Sequence, residues 1–223
     1  MTKPEQLPFD LGTRSAHERE DFWVSRSNRE PIAWLDKWPD WPAPALIIFG
    51  PPASGKTHLL QVWKKEAGAI EILLRDLHVK TLAQRLGPAK EVMIDDILPA
   101  LDKPEQEEAL FHLYNLLQER RGHLLLTAEK PVRDWPFVLP DLKSRLMAAP
   151  AVEVGSPDDD LMAVILTKLF SDRQIFVSQE VVQFILPRVE RSFLALRQLV
   201  DKIDRRALSE KRPVTIPLVK EIL

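Results

Sequence analysis

The chain contains no cysteine. Disulfides and thiolate metal sites are excluded from the start. No apolar run approaches 18 residues, so no membrane-spanning helix is expected. The N-terminal stretch MTKPEQLPFDLGTRSAHERED lacks the apolar core of a secretory signal, and the expectation is a cytoplasmic protein. Charge of either sign is in little excess: 31 Lys and Arg stand against 33 Asp and Glu, for a net charge of -2 and a pI near 6.2. A protein gripping many phosphates of DNA usually shows a basic face or tail. Here only short clusters occur, Arg205-Arg206 and Lys211-Arg212, which read as solvated helix surface. Strong direct DNA binding is not expected, and protein partners are favoured. Glycine is also scarce, with seven in 223 residues, and two of them fall within one octapeptide.

What is present is an alternation. Residues 1–20 read as a polar, flexible tail with one apolar island, Leu7 to Leu11. Trp23, Trp34, Trp38 and Trp41 follow among prolines, with a short helix over Ile32–Trp38 that Trp38-Pro-Asp-Trp-Pro breaks. Ala45–Phe49 is apolar throughout and bounded by Pro44 and Gly50, as a buried parallel strand would be. A helix over Thr57–Ala67, a strand over 69–74, a helix over Val79–Leu86, a strand over Glu91–Ile94, a helix over Pro104–Arg121 and a strand over His123–Thr127 follow in turn. A short strand at Val152–Val154 ends the series. Strands alternating with helices imply an α/β fold, a parallel sheet covered on both faces. Beyond Pro157 the pattern turns helical, over 158–173, 178–189, 192–209 and 216–222. The organisation expected is a tail (1–20), a nucleotide-binding core (21–156) and a small α-helical lid (157–223).

Gly50, Pro51, Pro52, Ala53, Ser54, Gly55, Lys56 and Thr57 match G-x-x-x-x-G-K-[ST], between an apolar strand and a helix. Glycine lets backbone N–H groups turn inward around a phosphate, and the helix start adds free N–H groups and its positive dipole end. Lys56 is expected to be exposed and bonded only to the β- and γ-phosphates of a bound nucleotide. Thr57 is expected to ligate Mg²⁺, with His58 next on the helix. Such a site needs a carboxylate at the end of a later strand. Glu91-Val-Met-Ile-Asp95-Asp96 supplies it: Asp95 for the Mg²⁺ shell, Asp96 as the base orienting water. Thr127 and Glu129 end the next strand, where polar groups face the ligand crevice, the place for a γ-phosphate sensor. Each alone also fits a plain loop residue. Arg145, in Pro140-Asp-Leu-Lys-Ser-Arg-Leu, could neutralise charge on a γ-phosphate in a neighbouring subunit. It could equally be a surface arginine paired with Asp141 one turn away.

Together these segments resemble AAA+ ATPases of the DnaA clade, and within it the short Hda-type homologues, over roughly residues 17–210. The resemblance rests on Phe22-Trp-Val-Ser-Arg-Ser-Asn28, the phosphate cradle, Ile-Asp95-Asp96-Ile, Leu-Leu-Thr127-Ala-Glu129-Lys-Pro and Leu-Lys-Ser-Arg145-Leu. It implies a P-loop AAA+ core with a helical lid, ATP or ADP with Mg²⁺ as cofactors, Val24 beside the adenine, and Arg145 as an arginine finger acting in trans. The family's sensor-2 arginine falls at Leu194, flanked one turn away by Arg191 and Arg197, and its loss implies weak hydrolysis. Gln6-Leu7-Pro-Phe9-Asp-Leu11 resembles short peptides that dock on the DNA polymerase sliding clamp, with Gln6 fixing register and Leu7, Phe9 and Leu11 filling an apolar groove. By pattern alone, a tail that packs on its own domain is an equal alternative. The function implied is a regulatory adaptor that promotes hydrolysis of DnaA-bound ATP, with DnaA and the clamp as partners and a homodimer or higher homo-oligomer as an option. A helicase-loader ATPase of the DnaC or IstB kind and a nucleotide-gated interaction scaffold are the rival readings.

Overall fold

A computed structural model describes residues 23–223. The peptide carrying Gln6, Leu7, Phe9 and Leu11 lies outside the described residues, as does Phe22. Five parallel strands form one sheet in the order β2-β3-β4-β1-β5: β1 (Ala45–Phe49), β2 (Ile70–Glu71), β3 (Glu91–Ile94), β4 (His123–Ala128) and β5 (Ala151–Glu153). β1 lies inside the sheet, between β4 and β5, and its side chains suit burial on both faces. Ala45 and Ile47 enter one apolar cluster; Leu46 and Ile48 enter the other.

The first cluster is closed by α3 (Val79–Leu86), α4 (Leu98–Leu101), α5 (Pro104–Glu119) and α6 (Pro140–Ala148). The second is closed by α1 (Arg29–Leu35) and α2 (Lys56–Ala67). Here the tryptophan segment finds its purpose. Trp41 stacks on Trp63 of α2 at 5.4 Å between centroids, Trp38 meets Trp63 edge-on, and Trp41 Nε1 donates to the Trp34 carbonyl at 2.8 Å.

Two elements differ from the sequence reading. The strand expected over 69–74 pairs only at Ile70–Glu71, because it is an edge strand and the chain leaves it for a tight turn at Leu74–Asp76. The first helix lies at Arg29–Leu35, a turn earlier than the apolar spacing suggested. After β5 come α7 (Asp159–Ser171), α8 (Gln179–Ile185), α9 (Phe193–Glu210) and α10 (Ile216–Lys220). They bury their own core, including Leu166, Phe170, Ile185, Val200 and Leu218. Asp158 caps α7 by accepting from Leu161 N, and Ser192 caps α9 by accepting from Ala195 N. No helix among the described residues is long and apolar enough to cross a membrane.

Candidate functional site

Gly50 leaves β1 pressed against β5. A Cβ there would lie 2.2 Å from the Val154 carbonyl oxygen, so no other residue fits. Gly55 ends the loop at φ 100, a left-handed conformation open to glycine, and opens α2 with no side-chain cap. α2 thus starts with no side chain capping it, as a phosphate-binding helix start does. Ser54 agrees with this: its Oγ is buried with no hydrogen-bond partner and it lines the adjoining cavity. A buried, unmatched hydroxyl beside an uncapped helix start suits a phosphate.

Lys56 is not the exposed cation expected from the motif. It is 9% exposed, and its ammonium donates to the carbonyls of Gly50 and Pro51, each at 2.8 Å. Burial lowers its pKa, opposed by Glu129, Asp95 and Asp96. The lysine is therefore folded onto its own loop, held in a field of three carboxylates.

Those acids come from the ends of β3 and β4. Asp95 accepts from Thr57 Oγ1 at 2.7 Å and from Thr127 Oγ1 at 2.5 Å, and Thr127 Oγ1 in turn accepts the Asp96 N–H at 2.9 Å. Asp96 turns sharply away at φ 48. Burial, then Glu129 and Asp95, raise its pKa, while Lys56 lowers it. Thr57 and Asp95 face one another as paired Mg²⁺ ligands would. Among the described residues no group of three or more acids or histidines is placed to hold a metal alone, so an ion here would need phosphate oxygens as well. Thr127 is fully buried, its hydroxyl donating to Asp95 and accepting the Asp96 N–H. Glu129 is exposed beside the same cluster.

A cavity of about 300 Å³ adjoins the cradle, lined by Ser54, Gly55, His58 and Leu59 from the core side. Trp23 and Asn28 supply another wall; Val24 is 50% exposed and does not line it. Asn28 sets that wall by accepting from Ser25 N and donating to the Trp23 carbonyl. The third wall is the lid: Leu161, Ile165 and Leu169 of α7, with Phe193 and Arg197 of α9. Phe193 sits on the cradle itself. Its N–H donates to the Ala53 carbonyl at 3.4 Å, and its ring lies 2.8 Å from where a Cβ on Gly55 would be. Leu194 is 57% exposed, and of its neighbours Arg197 lines the cavity whereas Arg191 pairs with Asp159 at 2.9 Å.

Arg145 lies elsewhere. α6 belongs to the sheet face opposite α2. The pairing with Asp141 considered from sequence is not the one found: Nη1 donates to Gln118 Oε1 of α5 at 3.0 Å, and the guanidinium lies over the rings of Phe111 and Tyr114. Glu107 was not anticipated. Fully buried in α5, it accepts from Val138 N and Leu139 N at 2.9–3.1 Å and so fixes the start of α6.

A family model described as the Hda lid domain matches residues 158–223. The chain is 30% identical over 227 residues to a Haemophilus influenzae protein described as uncharacterised, covering 98% of each. The fold resembles domain III of the Thermotoga maritima replication initiation protein DnaA, with a TM-score of 0.77 at 21% identity over 91% of this chain and 93% of that one. It also resembles the replication initiator DnaA bound to AMPPCP and single-stranded DNA (TM-score 0.71, 20% identity, 86% of this chain) and a Thermotoga maritima RuvB variant (TM-score 0.70, 16% identity, 88% of this chain). The chain thus has the fold of the DnaA AAA+ domains, and its residues 158–223 are similar to the Hda lid domain. It spans 66% of the nucleotide- and DNA-bound initiator chain and 67% of the RuvB chain.

Proposed function

We propose that this AAA+ protein binds ATP or ADP with Mg²⁺ between cradle and lid and acts in the cytoplasm on a DnaA-type initiator. It offers Arg145 to the initiator's bound ATP, and residues Gln6, Leu7, Phe9 and Leu11 tether it to the sliding clamp. The result is faster hydrolysis in the partner and fewer initiations. The observation that carries this reading is the separation of Arg145 from the chain's own cradle, on opposite faces of one sheet. An arginine so placed serves a phosphate brought by another molecule. In its own site, Lys56 and the uncapped start of α2 would bind phosphate, Thr57 and Asp95 would hold the metal, and Asp96 would orient water. Bound Mg²⁺ supplies charge neutralisation between phosphate oxygens. With Leu194 at the sensor-2 position and Thr127 turned to the acids, intrinsic turnover is slow, and bound nucleotide chiefly sets lid position and self-association.

The test is a reconstituted reaction containing clamp, primed DNA and ATP-loaded DnaA. Loss of an arginine finger typically costs ~10³–10⁵ in rate. Arg145→Ala is expected to keep ADP and clamp binding yet lose stimulation, and Arg145→Lys to rescue poorly, since an ammonium lacks the planar fork. Parent-like stimulation by Arg145→Ala would overturn the reading. Gln6→Ala is expected to abolish clamp capture with no change in thermal stability; retained capture would remove the tether.

A further inference from the structure

Arg145 has an unusual seat. Phe111, Tyr114 and Gln118 recur along α5 at intervals of three and four residues and so share one stripe of that helix. The guanidinium carbon lies 5.0 Å from the centroid of the Phe111 ring and 5.4 Å from that of Tyr114, within the range of a cation–π contact. Gln118 Oε1 accepts from Nη1 at 3.0 Å. Tyr114 is 5% exposed and Phe111 half-buried, so the two rings are anchored in the core beneath. Burial raises the Tyr114 pKa while Arg145 lowers it. The phenol stays neutral, and its hold on Arg145 is stacking rather than an ion pair.

We infer that Phe111, Tyr114 and Gln118 are positioning residues for the trans reaction: they fix the plane of the Arg145 guanidinium so that its edge meets a partner's phosphate. This rests on the finger role proposed above. The rings occupy a face of the cation and Gln118 takes one N–H, whereas a guanidinium carries five. Its edge therefore keeps donors for an anion. A free arginine side chain has much rotamer freedom to lose. An arginine already ordered on α5 does not lose that freedom on meeting the partner, and orientation is worth most at the transition state. Glu107 extends the device: it fixes the start of α6, and Arg145 follows one and a half turns later.

The experiment measures initiator-bound ATP hydrolysis against adaptor concentration for Phe111→Leu, Phe111→Tyr, Gln118→Ala and Arg145→Ala. Phe111→Leu keeps bulk and loses the ring. It is expected to lower the maximal stimulated rate by ~10–10²-fold, as misorientation does, with the half-maximal concentration unchanged. Phe111→Tyr restores the ring and is expected to restore the rate. Gln118→Ala, on the surface and harmless to folding, is expected to lower the maximum several-fold. In NMR spectra of the adaptor alone, the Arg145 Nε–Hε signal is expected to carry a ring-current shift that Phe111→Leu removes. If Arg145→Ala is inert while Phe111→Leu and Gln118→Ala both stimulate like the parent, the positioning role is overturned and the finger stands. If Arg145→Ala itself stimulates like the parent, the failure belongs to the finger.

Discussion

Lys56 shows how far a motif reaches at the scale of one residue. Spacing assigned the lysine to a phosphate. It could not show that the ammonium folds onto Gly50 and Pro51, because that depends on the path of the loop. Lys56→Ala is expected to abolish tight ADP binding in calorimetry. The fold is expected to lose only about 1 kcal/mol by urea denaturation, since hydrogen bonds to two carbonyls are lost but a desolvated cation is removed too. Asp96 carries a pH prediction. Its pKa is raised, so the folded protein holds its proton more tightly than the unfolded chain. The stabilising contribution is present below the unfolded pKa and lost as pH rises through the folded one; above that, the ionised carboxylate faces Asp95 and Glu129. Asp96→Asn removes this repulsion and tolerates the positive φ. The variant is expected to melt above the parent at pH 7.5, with the gap closing as pH falls through the folded pKa. An equal gap at pH 7.5 and pH 4 would contradict the acid-cluster account. Asp95 and Asp96 were legible from a strand ending in two acids, whereas the hydrogen bonds that tie Thr127 to both were not.

At the scale of elements, Glu107 ties α5 to α6. Glu107→Ala leaves the part-buried N–H groups of Val138 and Leu139 short of an acceptor, at about 0.5–1.5 kcal/mol for each lost bond. It is expected to lower the urea midpoint and to weaken stimulation further through Arg145; a neutral result would show that α6 needs no such anchor. The inner strands were legible because β1 is apolar throughout and β3 and β4 each carry a run of three apolar residues. β2 was not, since an edge strand with one neighbour need not pair along all its apolar length. The lid helices were legible as helices but not as a binding wall. The signal lies in α7. Met162, Leu166 and Phe170 face the lid core, while Leu161, Ile165 and Leu169 form a second stripe that lines the cavity. A helix apolar on two sides must face two things.

At the scale of the molecule, the cavity joins lid to core. Asp158 caps α7 and also accepts from Arg26 N, and Phe193 rests on the cradle, so a nucleotide bound as proposed would meet both parts at once. In scanning calorimetry the two parts are expected to melt together, with ADP at a hundred times its Kd adding ~2.7 kcal/mol to the whole. A lid transition that ADP leaves unmoved would break that coupling. Placing an arginine on one face of the sheet and a cradle on the other gives the protein a head and a tail. Contacts that bring one molecule's Arg145 to the next molecule's nucleotide are heterologous, so a row of such molecules has direction and two unlike ends. A protein joining an initiator row through Arg145 can then do so at one end only, where a nucleotide waits without an arginine. On the function proposed, its own cradle would then face outward and decide whether that end of the row grows or stops.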